Sequence, residues 1–84
     1  MNRVHNGFPA RMRELRSYYN VEKDITYKEF AKLSGIQNAS IRRYIANEAA
    51  PMLSNMIKLC NNLKINPNWL LLGYEKYKPI YLEP

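Results

Sequence analysis

An all-α fold is what this sequence predicts, and three observations predict it. Apolar residues recur at spacings of three and four through several short segments. Start and stop signals separate those segments: Pro9, Pro51 and Pro67 at or just before helix starts, Thr26 with Glu29 as a capping box, and Gly35 and Gly73 just past helix ends. No two segments alternate apolar and polar residues as a strand pair would. The expected architecture is a compact bundle of five short helices in one small domain of 84 residues.

Residues 1–8 read as a polar N-terminal arm, residues 9–73 as the domain and residues 74–84 as a C-terminal tail. The first helix starts at Pro9, and Phe8, Met12, Leu15 and Tyr19 make one buried stripe with Arg11, Arg13 and Arg16 lying off it. "NVEKDI" is a polar loop. Thr26 and Glu29 start the second helix, whose apolar members are Phe30 and Leu33 with Ala31 beside them. Gly35 stops it in a left-handed conformation, and Ile36 points back to the core. The third helix covers residues 38–46 with Ile41, Tyr44 and Ile45 inward. The fourth covers about 52–64, with Leu53, Met56, Ile57, Cys60 and Leu63 inward. Asn66 followed by Pro67 caps a last short helix, "NWLLL", stopped by Gly73. The tail "YEKYKPIYLEP" holds two prolines and is not helical.

Composition narrows the function. Hydrophobic residues make up 46% of the chain, which suits a globular domain. No run of about 18 apolar residues is present, so no membrane helix is expected. No apolar signal segment opens the chain. The single cysteine, Cys60, fits a reducing compartment and reads as a core thiol, since it stands on the apolar stripe of "MIKLCNNL". The formal charge is +6 and uneven. Residues 1–46 hold nine Lys or Arg against four Asp or Glu, a balance of +5, and residues 47–84 hold four against three, a balance of +1. A basic N-terminal half points to a polyanion, nucleic acid first, with a merely solvated basic surface as the plainer reading. His5 is the only histidine and has no Cys or carboxylate cluster beside it, so neither a metal site nor a cofactor is expected. There is no nucleophile–base pair and no glycine-rich phosphate loop, so an enzyme is not expected, and no small-molecule ligand is evident.

The stretch "FAKLSGIQNASIRRYI" carries a resemblance. Tyr27 to Ile45 resembles the helix-turn-helix of the Cro and lambda-repressor family. Ala31 stands where the motif's two helices approach closely, Gly35 supplies the tight turn four residues later, and Ile36, Ile41 and Tyr44 match its apolar positions. "PMLSNMIKLCNNLKINPNWLLLG" resembles the family's "P-x-L-x-x-L-x-K-L-A-x-x-L-x-V" helix and its "W-L-L-x-G" closure, so the likeness covers roughly residues 9–73. The chain departs from the pattern in three places. The loop before Thr26 is longer, Tyr27 replaces a frequent glutamine, and the poor cap Gln37 precedes the third helix. Asn38 is the alternative cap, and in that role it would lose its freedom to read a base.

The resemblance implies a sequence-specific regulator that puts helix 38–46 into the DNA major groove. Asn38, Ala39 and Arg43 fall at base-reading positions, whereas Ser40 and Arg42 fall on phosphate or a flanking base. Thr26, Tyr27 and Lys28 at the start of the second helix, and Asn47 after the third, fall on phosphates. Tyr27 acts there through its hydroxyl or packs its ring on a neighbouring helix. Arg11 and Arg13 either reach the DNA backbone or are surface charges. Implied partners are a double-stranded operator and a second copy of the chain, in the cytoplasm of a bacterial cell. Ile80, Tyr81 and Leu82 are candidates for that dimer contact, with a frayed terminus as the alternative. Trp69 reads more as a core closure than as an anchor. The chain fits a short Cro-like protein or the DNA-binding piece of a longer phage or prophage repressor. An autoregulating antitoxin, or a protein-interaction module that keeps the shape without reading DNA, is the alternative; two adjacent arginines and no acid between Gln37 and Asn47 favour DNA.

Overall fold

Phe8, Met12 and Leu15 follow one another at helical spacing, and all three are sealed from solvent on the first helix, α1 (Phe8–Val21). The structure, a computed structural model, describes residues 7–73 and Tyr81. Within them the chain continues as α2 (Tyr27–Ser34), α3 (Asn38–Ile45), α4 (Leu53–Leu63) and a single wide turn, α5 (Asn68–Leu72). In α5 the Gly73 N–H donates to the Asn68 carbonyl five residues back at 3.1 Å, a π-type closure. α1 lies against α2, α3 and α5, and α2 lies against α3 and α4, so the α2–α3 pair is braced by both α1 and α4.

The capping chemistry is what the residues require. The Thr26 hydroxyl accepts from the Glu29 N–H at 3.1 Å, and the Glu29 carboxylate accepts from the Thr26 N–H at 2.9 Å. Hydrogen bonding to the carboxylate from Thr26, its backbone N–H first and then its side chain, holds the Glu29 carboxyl below its ordinary value. At the other end Gly35 is left-handed, with φ 79°. Its N–H donates to the Lys32 carbonyl and the Ile36 N–H to the Ala31 carbonyl, each at 3.3 Å, which is the paired Schellman pattern. Asn62 of α4 donates to the Ser34 carbonyl at 2.8 Å and so ties the turn to the next layer. Ser34 itself is fully buried. Its hydroxyl donates to the Ala31 carbonyl at 2.9 Å and accepts from the Ile36 N–H at 3.3 Å. Asn66 behaves as its sequence position suggests, accepting from the Asn68 N–H at 2.9 Å.

Four sequence expectations change here. α4 is rotated: Met56, Leu59, Cys60 and Leu63 face inward, whereas Leu53 and Ile57 are 74% and 51% exposed. Leu33 likewise stands 49% exposed, and Ser34 takes its place facing the core. Arg11 is not a bare surface charge. Its Nε donates to the Leu70 carbonyl at 2.7 Å and its Nη2 to the Leu71 carbonyl at 3.2 Å, which ties α1 to the carbonyl end of α5. Tyr81 is not a frayed terminal residue: it pairs antiparallel with Ile65, sets its ring 5.5 Å from that of Tyr18 and packs against the core. Ile80, Leu82 and the arm residues 1–6 lie outside the described residues.

Candidate nucleic-acid interface

α3 is short, and its register decides what it offers. Gln37 is extended, with φ −62° and ψ 140°, and its carbonyl accepts from the N–H groups of Ser40 and Ile41 at 3.0 and 3.2 Å. Its side chain makes no cap bond, and Asn38 is the first helical residue. The cap role therefore falls to Gln37, and the Asn38 amide is spared. Ala46 closes the helix, one residue short of the expected end.

Ile41 and Tyr44 are buried and set the inner face. The Tyr44 ring meets Phe8 edge-on at 5.6 Å, and its hydroxyl accepts from the Met52 N–H at 3.2 Å and from Asn55 at 2.9 Å. Those contacts lock the rotation of α3 about its own axis. The opposite face then carries Asn38, Ala39, Arg42 and Arg43 to solvent, with Ser40 half-buried at its edge. Among the described residues, the side chains of Asn38, Arg42 and Arg43 make no hydrogen bond or ion pair within the chain. Their donors are available to an outside partner. No carboxylate stands on α3; the first beyond it is Glu48.

Thr26, Tyr27 and Lys28 form the N-terminal end of α2, where backbone N–H groups lack helical partners. Thr26 is committed to its capping box. Lys28 is exposed. The Tyr27 ring packs on a neighbouring helix: the Arg16 guanidinium carbon of α1 lies 4.1 Å from its centroid, and the residue is 43% exposed. Sequence reasoning left Arg16 unassigned, because a pairing between residues 11 apart on two different helices has no local signal. Asn47 is left-handed with φ 61°, a conformation asparagine tolerates well, and its side chain is exposed. Arg13 is exposed and leans toward the Ile45 carbonyl at the C-terminal end of α3, at 3.5 Å. Among the described residues no three of His, Cys, Asp or Glu gather as a metal group would, and His5 lies outside them.

A helix-turn-helix family model matches residues 15–70, two thirds of the chain and all of the α2–α3 pair. The chain belongs to the Cro/lambda-repressor-type helix-turn-helix family. As a member of that family it is a DNA-binding transcriptional regulator in the general sense, and the all-α fold agrees. The comparisons with curated proteins and with solved structures returned no match. No helix among the described residues is long and apolar enough to cross a membrane.

Proposed function

We propose that the chain is a phage or prophage repressor that binds a palindromic operator as a homodimer, in the cytoplasm of a bacterial cell, with α3 in the major groove. The outer face of α3 carries this reading: Asn38, Ala39, Arg42 and Arg43 are exposed together, with no acid among them. A helix of this width fits the groove and presents its N-terminal side chains to base edges. Arg43 pairs with guanine O6 and N7, Asn38 with adenine N6 and N7, and the Ala39 methyl meets a thymine methyl. Ser40 and Arg42 touch phosphate or a flanking base. Lys28, the end of α2 and Asn47 grip phosphates, which position the protein without reading sequence. A single module of this kind buries only about 600 to 1,000 Å² on DNA, which favours two copies on half-sites about one helical turn apart. Selection of bound sites from random duplex DNA tests the reading. A palindromic consensus is expected. An asymmetric consensus removes the dimer and keeps the DNA reader, and no enrichment after repeated rounds rejects both.

A further inference from the structure

We propose that Tyr27 is a positioning residue and that Arg16, held on its ring, is a phosphate ligand of the DNA interface. The inference rests on the DNA-binding reading above. Its starting point is how the three arginines of α1 use their donors. Arg11 gives its Nε and Nη2 to the carbonyls of Leu70 and Leu71. Arg13 turns to the Ile45 carbonyl. Arg16 alone of the three has neither a hydrogen-bond acceptor nor a carboxylate partner among the described residues, and its contact is the face of the Tyr27 ring at 4.1 Å.

A ring face attracts a cation through its quadrupole and offers no strong acceptor for the N–H groups. The contact therefore fixes where the guanidinium stands while leaving its donors unspent. An arginine loses much side-chain freedom when it takes an oxygen ligand, and a group already held in place loses less. The planar fork of N–H donors matches phosphate oxygens in pairs. Tyr27 is suited to the platform: it is the first residue of α2, half-exposed, next to the exposed Lys28. In this arrangement the ring of Tyr27 does the work, and its hydroxyl is not the phosphate donor.

Arg16→Ala, Arg16→Gln, Tyr27→Leu, Tyr27→Phe and the Arg16→Ala/Tyr27→Leu double variant test this on a duplex chosen by site selection. Affinity is read as a function of salt, and each melting temperature is recorded. Both Arg16 variants are expected to flatten the salt dependence by about one unit per bound protomer, roughly tenfold weaker per protomer at 0.1 M salt, with the preferred sequence unchanged. Arg16→Gln keeps much of the stem, so agreement between the two variants assigns the loss to charge rather than packing. Tyr27→Leu is expected to lose part of the same slope, Tyr27→Phe to restore it, and the double variant to lose no more than Arg16→Ala. An unchanged slope in both Arg16 variants overturns the ligand assignment. A Tyr27→Phe variant as weak as Tyr27→Leu makes the hydroxyl the donor and overturns the platform. Failure of the unsubstituted protein to hold any duplex rejects the DNA reading itself, a result distinct from either of these.

Discussion

Gly35 concentrates two constraints in one residue. Its φ of 79° is closed to β-branched side chains at ordinary cost, and a Cβ built there would come within 2.9 Å of the Asn62 amide nitrogen. That amide holds the Ser34 carbonyl, so a side chain at 35 strains the turn and displaces the bond that ties it to α4. Gly35→Val is expected to cost about 1 to 3 kcal/mol from the backbone alone, seen as a clear drop in melting temperature. An unchanged melting temperature would contradict the left-handed turn. Arg43 poses the complementary case, a residue with no structural duty. Arg43→Ala is expected to leave the melting temperature alone and to relax preference at one position of each half-site, by about 1 to 3 kcal/mol. Lys28→Ala is expected to weaken all sequences alike and to lower the salt slope by about one unit. Binding constants for single-base variants at fixed salt separate the two. A common loss across every variant for Arg43→Ala would make it a phosphate contact.

At the scale of the element, α4 shows how two apolar stripes compete for one core. "LSNMIKLCNNL" supports Leu53, Met56, Ile57, Cys60, Leu63 and also Met56, Leu59, Cys60, Leu63 at the same helical period. Spacing alone cannot choose between stripes that share three members. Tertiary packing chooses. Leu59 is 0% exposed, and the helix is turned so that Asn62 meets the Ser34 carbonyl and Asn55 meets the Tyr44 hydroxyl. Leu59→Ala is therefore expected to cost about 2 to 5 kcal/mol. Leu53→Ala, on the exposed edge, is expected to stay within about 0.5 kcal/mol. Equal losses in chemical denaturation would return α4 to the register read from the sequence. The same competition explains Leu33, which the fold leaves at the surface because Ser34 can bond its own hydroxyl inside the turn.

For the molecule as a whole, the closing contact is Tyr81 on α1. Its hydroxyl is buried with no hydrogen-bond partner among the described residues, and burial first, then the neighbouring Tyr19, Tyr18 and Glu14, push it far above the ordinary tyrosine value. Burial also pushes the Cys60 thiol up to about 11, from an ordinary 9.0. Both groups favour their neutral form in the fold, so the unfolded chain releases these protons first. The stability they contribute is complete below their unfolded values and is lost as pH rises through the folded ones. Melting temperature is expected to hold from neutral pH to about 9 and to fall between about 9 and 11. Tyr81→Phe removes an unsatisfied hydroxyl, a group whose burial costs about 1 to 3 kcal/mol, and is expected to match or exceed the unsubstituted protein at neutral pH. A lower melting temperature for Tyr81→Phe would mean that the hydroxyl has a partner.

Local chemistry alone determined much of this protein. The Thr26–Glu29 box, the Gly35 stop, the Asn66 cap and the inward Ile41 and Tyr44 are all legible in short windows, because a capping bond or a helical period is complete within four or five residues. The exposed set Asn38, Ala39, Arg42 and Arg43 follows from the same period once Ile41 and Tyr44 face inward. Other features joined residues that no window contains. Arg11 spends its charge on carbonyls 59 and 60 residues away, and Tyr81 folds back on Tyr18. Arg16 meets Tyr27 across the α1–α2 loop, and Asn62 rather than a nearer residue finishes the turn at Ser34. Whether Gln37 or Asn38 capped α3 was likewise settled only in the fold. Gln37 has no side-chain cap bond in its favour, yet its carbonyl takes the first helical bonds, from the Ser40 and Ile41 N–H groups. A side chain's burial and partners depend on which helices arrive around it, and only the assembled fold brings them together.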